Sequence, residues 1–203
     1  MKTSLLLATL FVGGTSAFTS TTSKTATTSA LSASKFADEV GAQMPLGFWD
    51  PLGMLGDEDQ KRFDRLREVE VKHGRIAMLG VVGYLTTYAG VRCPGMEAMP
   101  KGFAALDPAN WDDYAKTNIL WTLGTIGLLE LCVMKDQTGK AEFPGDYRNG
   151  GLDFGWWEFD DATKKRKRSI ELNNGRAAQM GLLGLMVHEQ MGNVDVLLPL
   201  ASK

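Results

Sequence analysis

Two cysteines and two histidines in 203 residues leave little material for the commoner site chemistries. Two cysteines do not build a disulfide-rich secreted scaffold. No Ser/His/Asp or Cys/His set, P-loop, dinucleotide fingerprint or zinc-ligand spacing is present, so the chain reads as a non-enzyme. An excess of one charge sign is also missing. The 22 Lys and Arg stand against 24 Asp and Glu, a formal net charge of −2, which gives no basic surface for nucleic acid. The 23 glycines follow no collagen period. No apolar run reaches roughly 18 uninterrupted residues, so the simplest transmembrane rule fails as well. With a mean hydropathy of −0.13, these averages describe one ordinary soluble domain.

The first segment has a different character. Lys2 precedes an apolar run from Leu5 to Val12, followed by the small residues Thr15, Ser16 and Ala17, then Phe18. That is the layout of a signal peptide. From Thr15 to Ser34, 13 of 20 residues are Ser or Thr, and the first acidic residue is Asp38. This is transit-peptide composition, with a disordered linker as the alternative. Residues 1–33 are therefore expected to be a two-part targeting sequence and 34–203 the functional domain. Losing Lys2 and Lys24 leaves 20 basic against 24 acidic residues, a net −4.

The remainder repeats itself. REVEVKHGRIAMLGVVG, starting at Arg67, and RSIELNNGRAAQMGLLG, starting at Arg168, align without gaps at an offset of 101, with 7 of 17 positions identical. The identities include Glu70/Glu171, Gly74/Gly175 and Arg75/Arg176. Two copies are too few for a solenoid but suit duplicated membrane helices related by a two-fold axis. No proline interrupts 70–89 or 171–190, each about 30 Å long as a helix, the thickness of a hydrocarbon core. Asn118–Met134, with Glu130 as its acid, makes a third segment. A buried helix in a soluble bundle fits the composition of all three as well.

The charges inside these segments need partners. Glu70 and Arg75 are five residues apart, about 140° around one helix, so they pair poorly. Crossing the two helices about a two-fold axis lets Glu70 meet Arg176 and Glu171 meet Arg75, with Gly80, Gly83, Gly181 and Gly184 allowing close approach. His73 shares the face of Glu70, and Asn174 holds the matching place after Glu171. His188 lies 14 residues beyond Asn174, about 21 Å further along nearly the same face. Imidazole, amide oxygen and carboxylate can each give an axial ligand to the Mg²⁺ of a flat macrocycle.

EVEVKHGRIAMLG and IELNNGRAAQMGLLGLMVHEQMG resemble the first and third helices of light-harvesting chlorophyll-binding proteins. MPLGFWDPLG, GLLELCVMKD and FPGDYRNGGLDFGW are similar to the fucoxanthin–chlorophyll a/c members of that family. The resemblance runs from Met44 to Pro199. It implies an all-α membrane protein with three transmembrane helices, the first and third crossed about a pseudo-two-fold axis. It also implies chlorophyll a, chlorophyll c, fucoxanthin and diadinoxanthin or a related xanthophyll as cofactors. By position, Glu70, His73, Glu130, Glu171, Asn174 and His188 would ligate chlorophyll Mg. Arg75 and Arg176 take the ion-pair positions. Gln179 is a further ligand candidate, with a structural role as its alternative. Relatives carry a Gln about nine residues before the second-helix Glu; here Trp121 stands there, with Asn118 and Thr122 nearby, which puts one helix-two site in doubt. The loops around Asp50 and Asp153 match carotenoid end-group sites, although Pro and Gly also make both of them turn sequences.

Eight basic residues between Lys135 and Arg168, against Arg92, Lys101 and Lys116 between Val91 and Thr117, put the first loop away from the side of synthesis. The N-terminal side would be stromal in a plastid thylakoid membrane. Cys93 and Cys132 would lie near opposite faces, too far apart to bridge. Asn193–Leu200 would lie along the lumenal surface as a short amphipathic helix. The implied partners are thylakoid lipid, other antenna subunits and photosystem I or II. The implied function is to absorb light and transfer excitation. The alternatives are a photoprotective quenching relative or a thylakoid assembly protein without pigment.

Overall fold

The structure is a computed structural model that describes residues 35–56, 59–149, 151 and 154–198. The expected leader, 1–33, and the candidate Asp153 lie outside the described residues. The chain folds into α1 (Gln60–Tyr88), α2 (Asp113–Cys132), α3 (Asp161–Gln190) and the one-turn α4 (Val194–Leu197). Short 3₁₀ turns occupy Gly102–Leu106, Pro108–Asn110 and Trp156–Glu158. Among the described residues there is no strand, only a bridge between Gln43 and Gly47. The class is all-α.

The helices start earlier than their apolar segments. α1 and α3 are 29 and 30 residues long, roughly 45 Å each, and begin ten residues before Glu70 and Glu171. Side-chain caps set the starts of α1 and α2. Asp59 accepts the N–H of Lys61 at 3.1 Å, and Asp112 accepts that of Ala115 at 2.7 Å, which brings the start of α2 forward to Asp113. α2 stops at Cys132, two residues before the expected end, where the Gln137 amide donates to the Cys132 carbonyl. Counted residue by residue, no described helix is long and apolar enough to cross a membrane. Lys116 and Asn118 dilute α2, and the Glu and Arg residues of the repeat dilute α1 and α3.

α1 and α3 pack directly on each other, and their closest approach corrects one expectation. It lies at Gly74 and Gly175, not at the four glycines downstream. A Cβ on Gly74 would stand 2.9 Å from the Gly175 Cα, and one on Gly175 would stand 3.0 Å from the Gly74 Cα. A Cβ on Gly80 would stand 3.3 Å from the Leu182 side chain, and one on Gly83, Gly181 or Gly184 would meet nothing within 4 Å.

Two small clusters pin the ends. Phe36, buried, stacks on Phe63 with ring centroids 4.3 Å apart and so folds the segment before α1 over its first turns. At the other end Tyr84, Tyr88, Leu185 and Val194 form a core with Phe103 and Leu198 against it. There Glu189 accepts the N–H groups of Phe103 and Ala104 at 3.1 Å each, and the Tyr88 hydroxyl donates to Asp195.

The crossing yields a contrast between glycines. Gly74→Ala and Gly175→Ala press a methyl onto backbone and are expected to destabilise by about 1–3 kcal/mol. Gly181→Ala fills open space and is expected to be neutral, or to stabilise by up to about 1 kcal/mol through helix propensity. Thermal melting of the purified protein compares them, and equal melting temperatures would refute the crossing geometry.

Candidate functional site

The centre of the molecule is a pair of reciprocal ion pairs. Arg75 Nε donates to Glu171 Oε1 at 2.7 Å, and Arg176 Nε donates to Glu70 Oε1 at 2.7 Å. Each carboxylate finds across the crossing the cation that its own helix holds on another face. Each guanidinium also donates Nη1 to a loop carbonyl, Arg75 to Gly145 at 2.9 Å and Arg176 to Gly41 at 3.0 Å. Both glycines have positive φ, +104° at Gly41 and +88° at Gly145. They rest on repeat-equivalent side chains, Gly41 on Leu172 and Gly145 on Val71. The duplication therefore extends into the loops. It escapes an ungapped alignment because Gly41 and Gly145 are 104 residues apart, three more than the helix offset. Glu70 has a second cation, Arg67, whose Nη1 donates to Oε2 at 2.7 Å.

The loop before α3 is held by its own charges. Arg148 grips Asp146 with Nε on Oδ1 at 2.7 Å and Nη2 on Oδ2 at 2.5 Å. This guanidinium holds the Asp146 carboxyl below the usual carboxylate range. Glu142 is also lowered, chiefly by the Trp156 indole N–H, which donates to it at 2.6 Å. The Tyr147 hydroxyl donates to Glu68 at 2.8 Å, and burial, followed by that carboxylate, pushes its phenol up. Asp50 shows turn chemistry. Its carboxylate accepts the N–H groups of Met54 and Leu55 at 3.0 and 2.8 Å, and the Leu55 bond chiefly lowers its pKa.

The ligand candidates stand apart from one another. Among the described residues no three His, Cys, Asp or Glu gather to hold a bare metal ion. Each candidate is instead a single group. His73 is exposed, with Nδ1 2.8 Å from the Val69 carbonyl. A carbonyl only accepts, so Nδ1 carries the proton and Nε2 keeps its lone pair. His188 repeats this with Nδ1 2.9 Å from Asn193 Oδ1. Asn174 is exposed and its amide bonds to no described residue. Glu130 gives Oε2 to Lys72 at 2.7 Å. Gln179 turns inward, its amide 3.5 Å from the Glu70 carbonyl beside the glycine crossing. This geometry favours a structural role for it.

Two cavities adjoin these groups. One of about 710 Å³ lies beneath the segment before α1, between Trp49, Phe63, Glu70, Asn173 and Arg176. Another of about 490 Å³ lies along α2 at Asn118, Trp121 and Thr122, with Tyr114 and Cys93 on its rim. The Thr122 hydroxyl donates back to the Asn118 carbonyl at 2.8 Å. Cys93 and Cys132 are both free thiols.

Residues 36–190, which hold the crossing, both loops and every described ligand candidate, match the family described as chlorophyll A-B binding protein. The chain belongs to that family. Its similarity to individual members extends over most of its length. A fucoxanthin-chlorophyll a-c binding protein of Trieres chinensis is 52% identical over 196 residues, covering 93% of this chain and 95% of the relative. Fucoxanthin-chlorophyll a-c binding protein D of Phaeodactylum tricornutum is 52% identical over 194 residues, 95% and 97% of the two chains. Protein B of the same organism is 56% identical over 165 residues, 77% and 80%. All three relatives carry the designation chloroplastic.

Two outcomes follow for this family member. Arg75→Leu leaves the half-buried Glu171 without its hydrogen-bonded cation and is expected to cost about 1–3 kcal/mol; Arg176→Leu, whose Glu70 retains the Arg67 hydrogen bond, is expected to cost less. Relative yields of folded protein after refolding measure the difference, and wild-type yield from both would refute the pairs. The second concerns acid. A lowered carboxyl contributes stability above its unfolded pKa, about 4, and loses that contribution as pH falls through the folded value. Tryptophan emission from the Trp156–Trp157 loop is therefore expected to hold from pH 7 to about 4 and then to change. Asp146→Asn should weaken that step, and an unaltered step would remove Asp146 as its source.

Proposed function

We propose that the chain is a light-harvesting antenna that binds chlorophyll a, chlorophyll c and fucoxanthin, with diadinoxanthin or a related xanthophyll, in a plastid thylakoid membrane. When bound, these pigments absorb light and pass excitation on to a photosystem. The observation that carries the reading is the doubled centre, in which each repeat presents a carboxylate already neutralised by an Arg next to an outward-facing His73 or Asn174. A neutral pair keeps a ligand oxygen in an apolar setting without stranding a charge.

The residues supply fixed ligand atoms. Glu70, Glu171 and Glu130 offer carboxylate oxygens, Asn174 an amide oxygen, and His73 and His188 an Nε2 whose tautomer is set by the bond on Nδ1. The grip of each Arg on a loop glycine stiffens that ligand frame. The segments around Trp49 and Asp50, and around Trp156 and Asp153, would take carotenoid end groups.

A membrane setting is supported by what the helices expose. Leu120, Trp121, Leu123, Leu128 and Leu131 on α2, Ile76, Leu79 and Val82 on α1, and Met180 and Leu183 on α3 are all exposed. Such apolar area is unfavourable in water and suits lipid and pigment. The charges that interrupt the apolar segments are paired: Glu70, Lys72, Arg75, Glu130, Glu171 and Arg176 all have ion-pair partners. On this reading α1, α2 and α3 span the bilayer, the N-terminal side and the Lys164–Arg168 collar face the stroma, and residues 1–33 are the plastid leader. Other antenna subunits, thylakoid lipid and photosystem I or II are the partners.

Absorption and fluorescence excitation spectra of the protein purified in mild detergent test the proposal. Carotenoid and chlorophyll c bands that excite chlorophyll a emission are expected. His73→Phe and His188→Phe should each remove a single chlorophyll. A colourless folded protein would point to an assembly role, and a short chlorophyll lifetime at both neutral and acid pH to a quencher; either would overturn the harvesting role.

A further inference from the structure

α2 is joined to the crossed pair by very little. Ala115 is its one buried residue among those described. Among the described residues one hydrogen-bonded side-chain contact connects it to α1 or α3, Lys72 Nζ donating to Glu130 Oε2 at 2.7 Å. Glu130 has no cation within reach on its own helix. Its neighbours one turn away, Ile126, Gly127, Val133 and Met134, are uncharged, and Lys116 lies 14 residues back beside Asp113. The counter-charge has to come from another helix.

Lys72 is itself supported. Its ammonium lies 5.8 Å from the centroid of the Tyr147 ring, and the Arg75 guanidinium lies 5.7 Å from the same centroid. The Tyr147 hydroxyl is fixed on Glu68. One ring thus stands beside the cation that neutralises Glu171 and the cation that neutralises Glu130. The repeat-equivalent position of Lys72 is Asn173, whose amide donates to Gln43 at 2.6 Å. The pseudo-two-fold pattern breaks here, on the side where α2 docks.

We propose that Lys72, held against Tyr147, is the positioning residue of the helix-two pigment site. It supplies the counter-charge that lets Glu130 act as an axial ligand through Oε1, and it sets α2 against α1. The inference rests on the reading of Glu130 as a magnesium ligand. Unlike the two central arginines, which each bind a carboxylate and a carbonyl, Lys72 acts as a point charge. Another cation should replace it, and removing both charges together should be tolerated.

The test is reconstitution of the full chain with chlorophyll a, chlorophyll c and fucoxanthin, counting chlorophylls per folded chain and following helical content by circular dichroism. Lys72→Met is expected to lose a single chlorophyll, as Glu130→Ala does, with helical content and the remaining pigments kept. Lys72→Arg is expected to retain it. The double variant Lys72→Met with Glu130→Gln, in which a neutral amide oxygen needs no counter-charge, is expected to regain what Lys72→Met loses, including folding yield if the single variant folds poorly. A full complement in Lys72→Met while Glu130→Ala loses one overturns the proposal and spares the ligand reading. No loss in Glu130→Ala overturns both. A double variant no better than Lys72→Met overturns the charge-balance role.

Discussion

Everything in this molecule is arranged around two carboxylates and two guanidinium groups that cannot pair within their own helices. Glu70 and Arg75 diverge around α1, and Glu171 and Arg176 around α3, so each acid must take its cation from the other helix. That requirement sets the register of α1 against α3, and the register places Gly74 on Gly175. The Arg side chains then have donors to spare, and Gly41 and Gly145 supply the acceptors. The loops before α1 and α3 are drawn in by this second set of bonds. Helix pairing and loop path share one electrostatic cause.

Much of this was legible in the sequence because a duplicated spacing carries geometric information. Five residues between Glu and Arg exclude a local pair, and an offset of 101 names the distant one. The point of closest approach was not legible. Six glycines fall in the two repeats at matching positions, so the duplication by itself does not single out Gly74 and Gly175. The loop carbonyls were hidden by a three-residue difference in connection length. The pairing of Lys72 with Glu130 could not be read either, since nothing in the pattern of α2 shows which helix faces it. The starts of α1 and α2 were missed because capping by Asp59 and Asp112 extends these helices into sequence that apolar periodicity leaves out.

The surface explains why hydropathy alone misjudges the chain. A count of residues treats Glu171 and Arg75 as two charges, whereas the fold presents them as one hydrogen-bonded neutral unit. The same count is blind to the fact that the apolar side chains of α2 are exposed along its length. Membership of the chlorophyll A-B binding family and the similarity to chloroplastic fucoxanthin-chlorophyll a-c binding proteins fit this division. The inner face of the helices is satisfied by protein, and the outer face presents exposed apolar side chains.

The bonds from Arg75 to Gly145 and Glu171, and from Arg176 to Gly41 and Glu70, join residues 70 to 135 positions apart. During synthesis α1 emerges first. Glu70 then has a provisional cation in Arg67, one turn away on the same helix, while Arg75 has no acid of its own until α3 follows. The frame can close only when the last long helix has been made, so a chain truncated before Glu171 would leave Arg75 without its acid.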